Sequence, residues 1–184
     1  MVRTFTFMAL TSLLVLTFSV QGLAQRPFVD FETTNQKNEV CQGKTLGVVP
    51  TLLDEYEGLD TYSWNYNAES FREVKNNIAI VNTALPGEKH LGFTLAINDS
   101  VKLDTIFVVN VLPKPDVTIR FESGKLSFTT PQVNLSGYQW FYNGAAIDKE
   151  RNEKVIKKPI AGSYRVVVTG VNGCSSSSET VTVR

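Results

Sequence analysis

Few side chains in this sequence could do chemistry. The chain of 184 residues has a single histidine, His90, and two cysteines, Cys41 and Cys174. His90 closes the polar stretch Gly87-Glu88-Lys89-His90, with no Ser, Cys or carboxylate pattern of an activated nucleophile beside it, so it is expected to be a solvated loop residue. One His and two Cys are too few for a zinc site built from His and Cys. The acidic clusters Asp54-Glu55-Tyr56-Glu57 and Asp148-Lys149-Glu150 lack the alternating Asp/Asn spacing with Gly that builds a calcium loop, and are expected to be solvated loop charge. Ser175 to Ser178 form a polar run suited to a soluble strand edge or hairpin shoulder. The expectation is a protein with no catalytic residue, no metal and no cofactor. With 18 Lys+Arg against 18 Asp+Glu, no strong field draws the chain to nucleic acid or to an anionic membrane.

The N-terminus reads as a segment for export. Arg3 is followed by no charged residue until Arg26, and the apolar stretches Phe7-Met8-Ala9-Leu10 and Leu13-Leu14-Val15-Leu16 lie between. This is the pattern of a secretory signal peptide, and the small residues of Gly22-Leu23-Ala24 place cleavage after Ala24. The unbroken apolar core is shorter than the ~20 residues a membrane-spanning helix needs, and no Cys follows it for lipid attachment. The mature chain is expected to have no transmembrane segment, and to be exported to the cell surface, extracellular space or periplasm.

After residue 24 the sequence consists of short β-rich runs between turn signals, without sustained helical periodicity, and so predicts an all-β chain. Strands are expected at Leu46–Val49, Thr61–Tyr66, Asn77–Val81, Gly92–Ile97 and Thr105–Val111. A second set is expected at Val117–Phe121, Lys125–Phe128, Tyr138–Tyr142, Tyr164–Val168 and Glu179–Val183. Between the sets, Pro113-Lys114-Pro115 removes backbone donors and stiffens the chain, as a domain boundary would. The two sets share Y-x-W-x-Y-N, at Tyr62 to Asn67 and Tyr138 to Asn143, a spacing of about one small sandwich domain. Alternation puts both Tyr and the Trp of each copy on one strand face. Trp64 and Trp140 are then core plugs of central strands, or, on the alternative reading, carbohydrate-stacking rings. Tyr142-Asn143-Gly144-Ala145 carries the Asn-Gly signal of a tight hairpin.

Val40-Cys41-Gln42-Gly43, the two Y-x-W segments, Gly162-Ser163-Tyr164 and Asn172-Gly173-Cys174 occur in that order. Together they resemble the repeated signatures of PKD-like and Ig-like domains in exported surface proteins of Bacteroidetes, including gliding-motility adhesins. The resemblance covers nearly all of the chain after residue 24. It implies two tandem immunoglobulin-like (PKD-like) β-sandwich domains, residues 25–112 and 116–184, joined by a Pro-rich linker at 113–115 and preceded by a signal peptide at 1–24, with Tyr164 joining the two Trp in the core. It also implies spacers, adhesion surfaces and assembly interfaces in place of an enzyme. Asp99-Ser100-Val101 and Asp104-Thr105-Ile106 resemble the D-[S/T]-apolar signature of O-glycosylation in such proteins, which makes Ser100 and Thr105 candidate acceptors.

The motifs are split: the first unit has V-C-x-G without N-G-C, and the second N-G-C without V-C-x-G. In a tandem Ig-type pair the first turn of unit one and the last hairpin of unit two both face the junction. Cys41 and Cys174 are therefore expected to form an inter-domain disulfide in an oxidising compartment, with two free thiols as the alternative. The leading expectation is a rigid two-domain spacer or protein-binding subunit of a bacterial cell-surface, gliding or secretion-associated assembly, whose partners are other proteins of that apparatus. The alternative is a carbohydrate-binding module that meets glycans through exposed aromatics, for which Phe141 and Tyr56 are the candidates.

Overall fold

The structure, a computed structural model, describes residues 29–52, 60–97, 100–131, 134–148 and 153–184. The expected signal peptide at 1–24, and Tyr56, lie outside the described residues. Within them the chain is all-β.

The first unit contains β1 (Val29–Thr33), β2 (Glu39–Cys41), β3 (Gly47–Leu52), β4 (Asp60–Asn65), β5 (Phe71–Lys75), β6 (Ile78–Val81), β7 (Gly87–Ile97) and β8 (Ser100–Leu112). They form two four-stranded sheets, β1-β3-β6-β5 and β2-β8-β7-β4. The second unit contains β9 (Thr118–Glu122), β10 (Lys125–Thr129), β11 (Leu135–Tyr142), β12 (Ala145–Ala146), β13 (Val155–Ile156), β14 (Gly162–Gly170), β15 (Ser175–Ser177) and β16 (Val181–Val183). Here the sheets are β13-β10-β9 and β12-β11-β14-β15, with β16 also on β14. Each unit is an immunoglobulin-like sandwich, and the strand order of the first is that of a constant-type domain with one short added strand, β2.

Period-two burial holds each pair of sheets together. In β7, Leu91, Phe93 and Leu95 are fully buried, and in β14 Tyr164, Val166 and Val168 follow the same alternation. Each such apolar side chain contributes roughly 1.5–3 kcal/mol. The buried residues fall into two clusters, one gathered around Trp64, Phe71 and Phe93 and the other around Phe128, Trp140 and Tyr164. In the first, Phe31 and Phe93 meet edge to face at 5.3 Å, and Trp64 meets Phe93 at 5.1 Å, arrangements favoured by the ring quadrupole.

Three hairpins close with two-residue turns in which both residues have positive φ: Asn76-Asn77 (48° and 65°), Ser123-Gly124 (51° and 70°) and Asn143-Gly144 (46° and 85°). Such turns match the right-handed twist of the strands they join. The last is the hairpin expected from Asn-Gly, with Tyr142 opposite Ala145.

The structure departs from the expectations in several places. β7 begins at Gly87, so His90 lies in a strand and not in a loop, with its side chain on the exposed face. The polar look of Glu88-Lys89-His90 misleads because Lys89 shares the inward face of Leu91 and is itself buried, as the long apolar stem of a lysine allows. Tyr66 does not share the core with Tyr62 and Trp64. β4 ends at Asn65, and Asn67 accepts the N–H groups of Ser70 and Phe71 in a tight turn. Tyr66 is left 57% exposed, packed on Phe71 at 5.6 Å. β4 is an edge strand among the described residues, so Trp64 plugs the core from the sheet margin and not from a central strand. The expected strand at Glu179–Val183 is only β16, because Ser178 breaks it: its hydroxyl accepts the Val166 N–H at 3.0 Å and donates to the Glu179 carbonyl at 2.8 Å.

Candidate functional site

Strand order brings the two cysteines together. β2 runs parallel to β8, with Cys41 opposite Leu112, so the end of β2 coincides with the end of the first unit's last strand. The turn that follows is fixed by Gln42 N–H to the Leu112 carbonyl (2.8 Å), Gly43 N–H to Thr83 (2.9 Å) and Lys44 N–H to Cys41 (3.0 Å). The Thr83 hydroxyl donates to the Lys44 carbonyl, and the Gln42 amide to the Ala84 carbonyl. In the second unit, β14 turns through residues 171–174 into β15, with Gly173 at φ 81°. Cys174 sits at the end of that turn, and its Cα lies 5.5 Å from that of Cys41 in a disulfide. Cys174 is fully buried and Cys41 half-buried.

Asn172 does two things here. Its Oδ1 accepts the Cys174 N–H at 3.1 Å, shaping the turn, and its Nδ2 donates to the Pro113 carbonyl of the linker at 2.8 Å. In the Asn-Gly-Cys triplet Asn172 thus shapes the turn and joins it to the linker backbone, Gly173 supplies the left-handed position and Cys174 the covalent bond. Pro113, Pro115 and Val171 line a shallow, mainly apolar cleft beside it. The pairing of Cys41 with Cys174 was legible from the motifs; the contact of Asn172 with the linker was not, because nothing in the sequence marks which carbonyl the amide meets.

The expected core residues are interior. Trp140 is fully buried, and Trp64 and Tyr164 nearly so. Both indoles donate to a carbonyl 13 residues further along the chain, Trp64 to Asn77 and Trp140 to Glu153, each at 2.9 Å. The sequence repeat is therefore also a repeat in three dimensions. The Tyr164 hydroxyl donates to the Ile160 carbonyl at 3.0 Å, the tyrosine corner of immunoglobulin-like sandwiches. Burial pushes its phenol pKa above 10.0, opposed by that hydrogen bond and reinforced by Tyr142.

Phe141 faces away from Trp140 on the outer side of the sheet, where the Arg165 guanidinium lies 4.0 Å from its ring centroid. Arg165 in turn donates to the Ser177 hydroxyl at 3.3 Å. One face of the ring is thereby already occupied by a cation–π contact. Thr105 lies mid-strand in β8, half-buried on the same face as Val109 and Val111. Ser100 begins β8, and its side chain is outside the described residues. His90 Nε2 lies 3.7 Å from Glu88 Oε2, both side chains well exposed. At the far end of unit two a cleft is lined by Tyr142, Ile147, Ile156, Pro159, Ile160 and Tyr164. The two tyrosine hydroxyls there are committed to backbone carbonyls, Tyr142 to Ala161 and Tyr164 to Ile160. Among the described residues no three or more His, Cys, Asp or Glu gather as a metal would need, and no helix is long and apolar enough to cross a membrane.

The fold and junction define a class: paired immunoglobulin-like sandwiches tied to each other by a disulfide. No protein-family model matches the chain, and the curated proteins give no match. Among solved structures, the fibronectin(III)-like modules of Clostridium thermocellum CbhA are 16% identical, covering 85% of this chain and 94% of that one at a TM-score of 0.35. The C-terminal 282-residue fragment of intimin, in complex with the intimin-binding domain of its translocated receptor, is 10% identical, with 84% and 63% covered at 0.43. The Bacteroides ovatus mixed-linkage glucan utilization protein SGBP-B, in complex with a mixed-linkage heptasaccharide, is 13% identical, with 79% and 42% covered at 0.33. Likenesses of this size do not speak to a shared function.

Proposed function

We propose that this chain is an exported, non-enzymatic structural or adhesion module: a two-domain spacer or protein-binding subunit of a bacterial cell-surface assembly. The observation that carries the reading is the Cys41–Cys174 bond between two sandwiches. A disulfide persists in oxidising compartments outside the cytosol, and one placed between units fixes their relation without contributing a reactive group. In this reading residues 1–24 are a cleaved signal peptide, 25–112 and 116–184 are the two domains, and 113–115 is the linker. Partners are proteins of a surface or secretion apparatus, of the kind that PKD-like modules of Bacteroidetes gliding adhesins serve, and Ser100 is the better placed of the two candidate glycan acceptors, since Thr105 points inward. The test is cross-linking in the native host, followed by identification of what co-purifies. Recovery of a fixed set of exported proteins supports the reading, whereas recovery of the chain alone, with uncleaved residues 1–24 and free thiols, overturns it.

A second reading, a carbohydrate-binding module, draws on the aromatic-lined cleft at Tyr142 and on Phe141. Its test is a glycan array: binding lost on Phe141→Ala or Tyr142→Ala establishes it, and an empty array dismisses it.

A further inference from the structure

The place of the disulfide in the strand order has a mechanical result. Val29 pairs with Leu52, at the end of β3 remote from the junction, and from there the chain runs through β1 and β2 to Cys41 at the junction. From Cys174 it runs back along β14, first as β15 and then as β16, until Val183 reaches Gly162 at the far end of the second unit. The two ends of the described chain thus lie at opposite extremes of the pair, and the two cysteines meet in the middle.

We propose that the pair is a tension member in which load applied between its ends runs along β1 and β2, through the Cys41–Cys174 bond, and out along β15 and β16. Residues 42–173, with both Trp-centred cores, lie outside that covalent path: they hold the loaded strands in place through β3, β8 and β14 but do not pay out while the bond is intact. Tension lies along all four loaded strands, so they must slide past their neighbours with many hydrogen bonds resisting together, and cannot be peeled open one bond at a time. β1 is held over Val29 to Thr33 against β3, and β2 by its parallel pairing to β8. At the other end Ser175 to Ser177 and Val181 to Val183 both hold to β14, with Ser178 fastened to Val166 between them. A spacer of two ordinary domains lengthens by a whole domain each time one yields. Here the covalent path bypasses everything between two cysteines separated by 133 positions in sequence. This gives the proposed spacer role its mechanics but rests on the bond and the strand order alone, so its failure would leave partner binding untouched.

The experiment is single-molecule stretching of the oxidised full chain through handles attached by non-thiol chemistry at Asp30 and Arg184, both exposed. With the bond intact, only about 20 residues can pay out, and total extension beyond the folded length stays under ~80 Å at up to ~3.6 Å per residue. In the variant Cys41→Ser with Cys174→Ser, the bypassed segment enters the load path and adds up to ~480 Å, released in two steps, one per core. Wild-type protein pulled after reduction in mild denaturant and refolding under reducing conditions should do the same. Release of more than ~100 Å by intact, oxidised protein overturns the proposal whether or not the variant folds, as does an identical extension for folded oxidised and bond-free protein.

Discussion

Replacing both cysteines, Cys41→Ser with Cys174→Ser, should change how many transitions the protein unfolds in as well as where they fall. In the chain-entropy account the closed loop of 133 residues destabilises the fully unfolded chain by ~5 kcal/mol. Partial unfolding meets shorter loops. With unit one folded and unit two open, the loop runs from Leu112 at the end of β8 to Cys174, about 60 residues, and costs ~4.3 kcal/mol. With unit two folded and unit one open, it runs from Cys41 to the start of β9, about 75 residues, and costs ~4.5 kcal/mol. The first unit to open therefore meets nearly the whole penalty, and the second meets only ~0.6 kcal/mol more. The bond couples two sandwiches that have separate cores, so the intact protein should unfold as one. Because native disulfides deliver more often ~2–4 kcal/mol, and the intact pair melts as one unit of about 150 residues for which ~2–4 °C per kcal/mol holds, the variant's units should melt on the order of 4–16 °C lower on average. The assay is urea and thermal unfolding followed through tryptophan fluorescence in Trp64→Phe and Trp140→Phe backgrounds, which leave a single reporter in each unit. Coincident midpoints in the oxidised protein and separated, lower midpoints in the serine variant are expected. Two well-separated transitions in the oxidised protein, or unchanged midpoints in the variant, would refute the loop argument.

Three further outcomes follow from single contacts. Trp140→Ala should destabilise unit two by about 3–5 kcal/mol and leave the Glu153 carbonyl without its indole donor, measured by urea titration, with Trp140→Phe losing clearly less. Since burial raises the Tyr164 pKa above 10.0, the native state holds this proton after the unfolded chain has lost it. Stability therefore falls as pH rises from about 10 towards the folded pKa and is untouched by this group below that window. Tyr164→Phe should flatten that alkaline slope relative to wild type, and lower stability at neutral pH by about 1 kcal/mol through loss of the Ile160 bond. Asn172→Ala removes both the turn acceptor and the linker donor, and should cost about 1–2 kcal/mol; Asn172→Asp, which keeps the acceptor, should cost less in the same denaturation assay.

The fold was legible where one residue type had one physical role. Trp64 and Trp140 sit in equivalent strands because an indole fits the space between two sheets, and Asn143-Gly144 turns because both residues tolerate positive φ. β1, β2 and β5 were missed. β2 has three residues, too few for alternation to show, and in β5 only Phe71 is buried while Arg72, Glu73, Val74 and Lys75 face solvent. Its partner β6 and the Asn76-Asn77 turn hold it in place, and neither leaves a mark within the five residues themselves. Lys89 is the opposite case: a charged residue on an inward face concealed the first residues of β7. Sequence patterns read side-chain polarity, whereas burial of a lysine depends on where its stem runs and what covers it.

At the junction the sequence carried more than in either core, and the reason is chemical. In antibody-type domains a disulfide crosses between the sheets, its second cysteine two residues beyond the corner tyrosine. Here that position is Val166, fully buried, so the second sandwich closes by packing alone and the chain's only two cysteines are free for another use. A disulfide within either unit would have stabilised that unit and left the linker to flex. Placed between Cys41 and Cys174, the same bond crosses the linker, and Asn172 holds the linker's first carbonyl against the same hairpin. Two contacts of different kinds, one covalent and one polar, converge on the few residues where a tandem pair would otherwise hinge. A covalent and a polar contact at one hinge oppose bending there more than either alone, which is the property the proposed spacer role would use.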